Sequence, residues 1–174
     1  VDPAVGVGGV GMAALQGAVR RLAEQDALTG IANRQGFQTL LAARLAEFAG
    51  HGLALGHLDL DNFKSINDSV GHSVGDAVLK ELAWRLSDSS RAIDTVSRQG
   101  GDEFVILLPD VQRFEAIGDC VERLLATIAQ PIEVDGNAYR LSASIGIGVF
   151  PDDSADLEAL YRHADAAMYQ AKQD

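Results

Sequence analysis

The chain predicts an α/β (α+β) fold in which a mainly antiparallel central sheet is flanked by helices. Three observations carry that expectation. Strand-like runs come in neighbouring pairs joined by glycine turns, at Gly100-Gly101 and at Asp135-Gly136-Asn137. Apolar residues recur at helical spacing through residues 73–87, 111–130 and 155–172. The resulting order, β-α-α-β-β-α-β-β-α, mixes hairpins with helical crossovers, which suits an antiparallel sheet with helices packed on it. With 174 residues and 47% hydrophobic content, the chain has enough apolar material for one packed core.

Bulk charge narrows the function classes. Fourteen Lys+Arg against 25 Asp+Glu give a net charge of −11, the opposite of the basic footprint of a nucleic-acid backbone binder. An anionic substrate would have to be drawn in locally, by metal ions, helix ends or a few placed cations. Cys120 is the single cysteine, so an internal disulfide framework is excluded and a reducing compartment is expected. It sits beside Val121 and Leu124 in a helical stretch and reads as a core thiol. No apolar run is long enough to span a bilayer and no signal peptide is visible, so a cytoplasmic domain is expected.

Taken in order, residues 1–11 are glycine-rich and read as a flexible lead-in. Met12, Leu15, Val19 and Leu22 then follow the three-four spacing of a coiled-coil seam, making residues 12–25 a linker or signalling helix. That stripe either packs on the domain or ends a helix joining an upstream module. A polar connection from Asp26 to Arg34 leads into a helix over 35–48 and a strand over 52–61. Strand alternation puts His57, Asp59 and Asp61 on one face, with Leu58 and Leu60 on the other. Two same-face acids at a strand end are a way to build a metal site. A short helix over 62–66, a turn over 67–72 and a helix over 73–87 follow. Ser73 and Asp76 are spaced like a capping box, Val78, Leu79, Leu82 and Leu86 share a face, and Trp84 lies off that stripe.

The stretch from Ser97 to Phe104 is the most informative. Gly100-Gly101 reads as a tight hairpin, because glycine enters positive-φ conformations without strain. Asp102 and Glu103 come next and run straight into the apolar strand 104–108. Unpaired charge against such a strand is costly, so the two acids read as presented from the hairpin tip to hold a cation. Beyond it, a helix over 111–130 turns Ile117, Val121, Leu124, Leu125 and Ile128 inward. Strands over 132–134 and 139–150 form another hairpin, with Leu141, Ala143, Ile145 and Ile147 on one face. In the last helix Leu157, Leu160, Tyr161, Ala164 and Met168 make a core stripe. His51 and His163 lack a partner pattern and are expected to be solvated.

Four ordered blocks now stand out: Asp26-x-Leu28-Thr29-Gly30-x-x-Asn33-Arg34; Asp59-Leu60-Asp61-x-Phe63-Lys64-x-Ile66-Asn67-Asp68-x-x-Gly71-His72-x-x-Gly75-Asp76; Arg98-x-Gly100-Gly101-Asp102-Glu103-Phe104; and Ala164-Asp165-x-Ala167-Met168-Tyr169-x-Ala171-Lys172. With them, the chain resembles the GGDEF domain, the catalytic module of diguanylate cyclases, from about residue 22 to the end, with the domain proper over 26–174. The resemblance implies a nucleotide-cyclase, polymerase-palm-like fold with a ferredoxin-like core. It implies condensation of two GTP into cyclic di-GMP and two pyrophosphates, by a homodimer of facing half-sites. Two Mg²⁺ or Mn²⁺ ions per site would be held by Asp59, the Leu60 carbonyl, Asp102 and Glu103, with Asp102 also matching the position that deprotonates the 3′-hydroxyl. Lys64 corresponds to a cation that stabilises the transition state.

The same resemblance assigns phosphate oxygens to the backbone amides of Asn62, Phe63 and Lys64 and to Lys172. It assigns the guanine edge to Asn67 and Asp76, and a further nucleotide contact to His72. Arg91-Ala92-Ile93-Asp94 occupies the register of the family's inhibitory product site, so Arg91 and Asp94 are expected to bind cyclic di-GMP. A sensory domain upstream or another domain downstream is implied in the full-length protein. Departures are Ile31 in place of leucine, Gln99 in place of an aromatic, and Gln173-Asp174 where the family's pattern runs on to glycine, arginine and asparagine, so the domain's C-terminal edge reads as truncated. Relatives that only bind GTP or cyclic di-GMP, and regulate a neighbouring domain such as a phosphodiesterase, usually lose the hairpin acids or glycines. This chain keeps them, which favours the enzyme over the silent binding module.

Overall fold

The computed structural model describes residues 3–48, 50–111, 114–150 and 157–173. Helix α1 runs Pro3–Glu24 and α2 Arg34–Glu47, followed by strand β1 Leu53–Leu60. Helices α3 Phe63–Val70 and α4 His72–Asp88 cross to strands β2 Thr95–Gly100 and β3 Glu103–Pro109. Helix α5 Phe114–Ala129 leads to β4 Ile132–Val134, β5 Asn137–Tyr139 and β6 Ala143–Phe150, and α6 Leu157–Gln173 closes the order. The main sheet has the order β2-β3-β1-β6, with every neighbouring pair antiparallel. The expected mainly antiparallel sheet flanked by helices is what forms.

Strand β1 is the centre of the sheet, and its alternation divides the interior in two. Ala54, Leu58 and Leu60 point to the side where α4 and α5 supply Val78, Leu82 and Leu124. Leu53 and Leu55 point to the other side, against Phe37 of α2 and Ala164 of α6. Strand β3 is buried along nearly its whole length because both faces are covered, which is why it reads as a continuous apolar run. Helix α6 lies very close to β6. A Cβ placed on Gly146 would collide with the Ala164 carbonyl and the Met168 amide, so only glycine permits this approach.

Several local expectations need correcting. The glycine-rich lead-in over 1–11 is helical from Pro3 onward, as the start of α1. Pro3 suits the first helical position, and extending an existing helix costs far less than nucleating one, so the glycines are carried along. The apolar stripe of α1 does not pack on the domain: Met12, Leu15, Val19 and Leu22 are all exposed. The turn placed at 67–72 is mostly helix, since α3 continues to Val70 and breaks only at Gly71, whose φ is 92°. Consequently α4 starts at His72 with Gly71 as its N-cap, and the Ser73–Asp76 capping box does not form because Ser73 already lies inside the helix. The strand expected over 139–150 is split. Strand β5 pairs only with β4, and the chain breaks at 140–142 before β6 joins β1. The pairing with β1 goes one step beyond β6, where the Ser142 carbonyl accepts from Asp61 N at 2.9 Å, while Leu141 turns into the core.

The expectations for residues 155 and 156 of the last helix lie outside the described residues, as do those for the side chains of Leu157, Leu160 and Tyr161. Ala164 and Met168 are buried as expected, and Trp84 remains largely exposed on α4. His51 is not merely solvated, since its Nδ1 lies 2.7 Å from Asp110 Oδ1. No described helix is long and apolar enough to cross a membrane.

The close approach of α6 gives a direct test. Gly146→Ala should cost about 1–3 kcal/mol in urea unfolding, because the added methyl must push α6 off the sheet. An unchanged midpoint and slope would mean that α6 does not pack against β6 as described.

Candidate functional site

Strand pairing alone brings the first group of acids together. In the β1–β3 register Asp59 stands opposite Glu103, and Leu60 N donates to the Asp102 carbonyl at 3.2 Å. Residues from the end of one strand and the start of its neighbour therefore share one corner of the sheet. The hairpin that starts β3 has Gly100 at φ 146° and Gly101 at φ 52°, with an irregular register between Arg98 and Gly100. The Arg98 guanidinium braces it, donating from Nε to the Gly101 carbonyl at 3.0 Å and from Nη1 to both Asp26 oxygens, at 2.9 and 3.1 Å.

The electrostatics of this corner are those of a site short of positive charge. Burial first, and then the adjacent Asp102 and Glu103 carboxylates, push the Asp59 carboxyl up to about 6, against the pull of Lys172. Asp59 Oδ1 is buried with no hydrogen-bond partner. Two crowded acids and an orphaned buried oxygen fit a hard cation that accepts oxygen ligands. Among the described residues no three His, Cys, Asp or Glu side chains form a complete cage.

Lys172 reaches this corner from α6, with its Nζ 3.6 Å from Asp59 and 3.1 Å from Asp61. Asp61 is held in place by Ser142 Oγ at 2.7 Å and Ser144 Oγ at 2.9 Å. Burial would raise the Asp61 carboxyl, but the hydroxyls and Lys172 outweigh it and hold the group below its ordinary value. Asp61 thus serves as the anchor of Lys172. The sequence pattern points to Asp61 through strand alternation, and Ser142 and Ser144 share the two-residue period that puts both on one side of β6.

Helix α3 begins two residues beyond Asp61. Asn62 is its N-cap in the left-handed region, φ 58°, and its side chain makes no cap, so it leaves the first-turn amides of Phe63 and Lys64 open. Lys64, His72 and Asp76 are exposed along α3 and α4. Asn67 is half-buried between the two helices. Its Oδ1 is buried with no partner, and a Cβ on Gly75 would collide with it. Because the capping box is absent, Asp76 is not committed to the helix end.

Arg91 and Asp94 lie at the other end of β3, about 20 Å from Glu103 at the rise of an extended strand. They are bonded to one another. Arg91 Nε donates to Asp94 Oδ1 at 3.0 Å, its amide donates to Oδ2 at 2.8 Å, and its Nη2 donates to the Pro109 carbonyl at 2.8 Å. Next to them is a cavity of about 520 Å³ lined by Arg91, Asp110, Asp119, Cys120 and Arg123. Arg123 gave no signal in the sequence. It is one polar residue on an amphipathic helix, and only folding sets it across the cavity from Arg91.

A second residue was placed by alternation but given no role. His57 is 3% exposed on β1, with Nδ1 2.9 Å from Asp165 Oδ1 on α6 and Nε2 3.9 Å from Glu103 Oε2.

Asp59 makes stability depend on pH in a definite direction. Its folded value lies above the unfolded one, so between about pH 4 and about pH 6 the folded state holds a proton that the unfolded chain has released. Stability therefore falls as pH rises through that window. The depressed acids Asp26 and Asp61 act in the opposite sense. The midpoint difference between wild type and Asp59→Asn isolates the effect. In chelator, the variant should gain on wild type from pH 4 to pH 7; parallel curves would show that Asp59 is not crowded.

Comparison with known proteins agrees with this geometry. The family model described as "Diguanylate cyclase, GGDEF domain" matches residues 23–174. Diguanylate cyclase DgcP of Pseudomonas aeruginosa is 41% identical over 156 residues, covering 88% of this chain and 23% of that protein. Cyclic di-GMP phosphodiesterase NbdA of the same organism is 38% identical over 156 residues, covering 88% of this chain and 20% of that protein. The chain thus spans about a fifth of the length of these curated relatives. Among solved structures, the coiled coil and GGDEF domain of DgcB from Caulobacter crescentus, in complex with c-di-GMP, matches with a TM-score of 0.83 at 27% identity, covering 99% of this chain and 91% of that one. With the family model over residues 23–174 and the four-stranded sheet that sets the hairpin acids beside Asp59, this chain belongs to the GGDEF family of diguanylate cyclase domains.

Proposed function

We propose that this domain condenses two molecules of GTP into cyclic di-GMP and two pyrophosphates, acting as a homodimer in which each half-site holds one nucleotide. The observation that carries this reading is the corner where Asp59, Asp102 and Glu103 meet, with Asp59 crowded and one of its oxygens buried and unmatched. Phosphoryl transfer depends mainly on positioning and on neutralising developing charge. Asp59, Asp102, Glu103 and the Leu60 carbonyl would hold Mg²⁺ or Mn²⁺, two per site, and the chemistry those ions supply when bound is charge neutralisation at the reacting oxygens.

The chain's own groups do the rest. The uncapped amides of Phe63 and Lys64, with Asn62, face phosphate oxygens through the positive end of α3. Lys172, held by Asp61, adds a fixed cation, and Lys64 a mobile one that answers charge developing in the transition state. Asn67, half-buried between α3 and α4, would offer its side-chain amide to the guanine edge. Asp76 is free to accept from the same edge, with His72 one turn earlier on α4 as a further nucleotide contact. Asp102 is the group that takes the proton from the attacking 3′-hydroxyl.

Two further features support the finer reading. The exposed stripe of Met12, Leu15, Val19 and Leu22 on α1 is the seam by which two copies would align, and the DgcB structure that matches nearly the whole chain contains a coiled coil. Arg91 and Asp94, beside the cavity that also holds Arg123, would bind cyclic di-GMP as an inhibitor, with Arg91 offering its half-exposed guanidinium. A second reading is a GGDEF module that binds nucleotide without turnover and regulates a neighbour. Its support is the 38% identity to a protein named as a phosphodiesterase.

Incubation with GTP and Mg²⁺ at high protein concentration, following cyclic di-GMP, separates the two readings. Product is expected, and Asp102→Asn should lower its formation by about 10²–10³-fold, the scale of several kcal/mol of lost charge stabilisation. Stabilisation by GTP without product, even from an enforced dimer, would favour the silent module. Arg91→Ala should relieve inhibition by added cyclic di-GMP; unchanged inhibition would remove that residue from the product site.

A further inference from the structure

The cavity beside Arg91 is lined by charges of both signs. Its walls carry Arg91 and Arg123 but also Asp110 and Asp119, and a dianion such as cyclic di-GMP would bind among them. The Arg91 fork is already engaged on two edges. Nε and Nη2 meet Asp94 Oδ1 at 3.0 and 2.8 Å, and Nη2 also donates to the Pro109 carbonyl at 2.8 Å. Nη1 is the edge left for a phosphate or a guanine. Asp110 follows directly on Pro109, so a competing carboxylate stands one residue from the carbonyl that Arg91 holds.

That carboxylate is turned to another partner. His51 Nδ1 donates to Asp110 Oδ1 at 2.7 Å. An ionised carboxylate only accepts, so a neutral ring with its hydrogen on Nδ1 is enough for this bond. His51 lies in the loop between α2 and β1, where its amide donates to the Phe48 carbonyl at 3.0 Å and the Phe48 ring meets the imidazole edge-on. Asp110 leaves the end of β3 in the left-handed region, φ 55°, which aspartate tolerates better than most residues. Fastening this loop to the end of β3 does not require the side-chain bond. Val111 N already donates to the Gly52 carbonyl at 2.9 Å, and a Cβ on Gly52 would strike the Val111 carbonyl. What the imidazole adds is a fixed direction for one negative charge at the cavity wall.

We propose that His51 is a positioning residue for the product site: its Nδ1–H holds the Asp110 carboxylate toward the α2–β1 loop and keeps it off the open edge of the Arg91 guanidinium. The same charge, released, would occupy Arg91 and repel the phosphates of cyclic di-GMP. This rests on the reading of Arg91 and Asp94 as the product site.

The test is the affinity for cyclic di-GMP, measured by isothermal titration calorimetry without GTP. His51→Phe keeps a ring against Phe48 but removes the donor, and should weaken binding by about 2–5-fold, the scale of one partly exposed ion pair. Asp110→Asn should act in the opposite direction and tighten binding by a similar factor, because the competing charge is gone. The double variant should follow Asp110→Asn, since His51 acts only through that carboxylate. His51→Asn, which keeps an N–H near the position of Nδ1, should bind close to wild type. A mere staple of the loop would instead make His51→Phe and Asp110→Asn change affinity in the same sense. Wild-type affinity in His51→Phe, or wild-type or weaker affinity in Asp110→Asn, would overturn this inference, and the product site would stand if Arg91→Ala loses binding. Wild-type affinity in Arg91→Ala would overturn both.

Discussion

The central physical constraint is electrostatic crowding at one end of the sheet. Antiparallel pairing of β1 with β3 sets Asp59 opposite Glu103, with Asp102 one residue away on the hairpin. Left to themselves these carboxylates repel one another in a partly desolvated corner, which is why the Asp59 carboxyl is pushed up to about 6. A fold selected only for stability would put a leucine or a serine here. Everything around the corner can be understood as holding that unfavourable cluster in place: a central strand that cannot shift register, a braced hairpin, and one lysine fixed at the edge.

The bracing is distributed with some economy. Asp61 takes three partners, Ser142, Ser144 and Lys172, and so joins the end of β1 to β6 and to α6. The same three elements meet again two turns of α6 earlier, where Asp165 reaches His57 and Gly146 lets the helix settle on the sheet. Lys172 is thus tied to the carboxylates it partly neutralises, and burial, which would weaken its hold on a proton, is outweighed by Asp61 and Asp59. The cost of the acidic corner is offset locally, even though the chain as a whole carries a net charge of −11.

How much of this could be read from the chain follows from which signals are local. The hairpin glycines, the alternation of His57, Asp59 and Asp61, and the inward stripes of α4 and α5 all depend on near neighbours, and all form as the residues predict. What failed depended on competition between distant segments. The continuous strand over 139–150 is split because its first part pairs with β4 and its second with β1, which no period in that segment records. The Ser73–Asp76 spacing was a real pattern, but α3 runs on to Val70 and α4 starts at His72 with Gly71 as its N-cap, which leaves Ser73 inside the helix. Within the candidate site the acids were legible as chemistry, whereas the serines that hold Asp61 come from a segment eighty or more residues away and are set against it only by folding.

Asp26 and Arg98 show how two separate sequence blocks become one device. Each is unremarked as a single residue, one in a polar turn and one before a glycine pair. In the fold their side chains are both mostly buried and meet at 2.9 Å. Thr29 and Arg98 hold the Asp26 carboxyl below its ordinary value despite its burial, and the Arg98 amide donates to the Ala32 carbonyl at 2.9 Å. Arg98 also donates from Nε to the Gly101 carbonyl, at the tip that presents Asp102. The turn that ends α1 and the hairpin that carries the acids are therefore one hydrogen-bonded body. A paired charge that is largely out of water costs more to break than a surface ion pair. Any displacement of the end of α1 must either break that pair or carry the hairpin with it, and the second is the cheaper response.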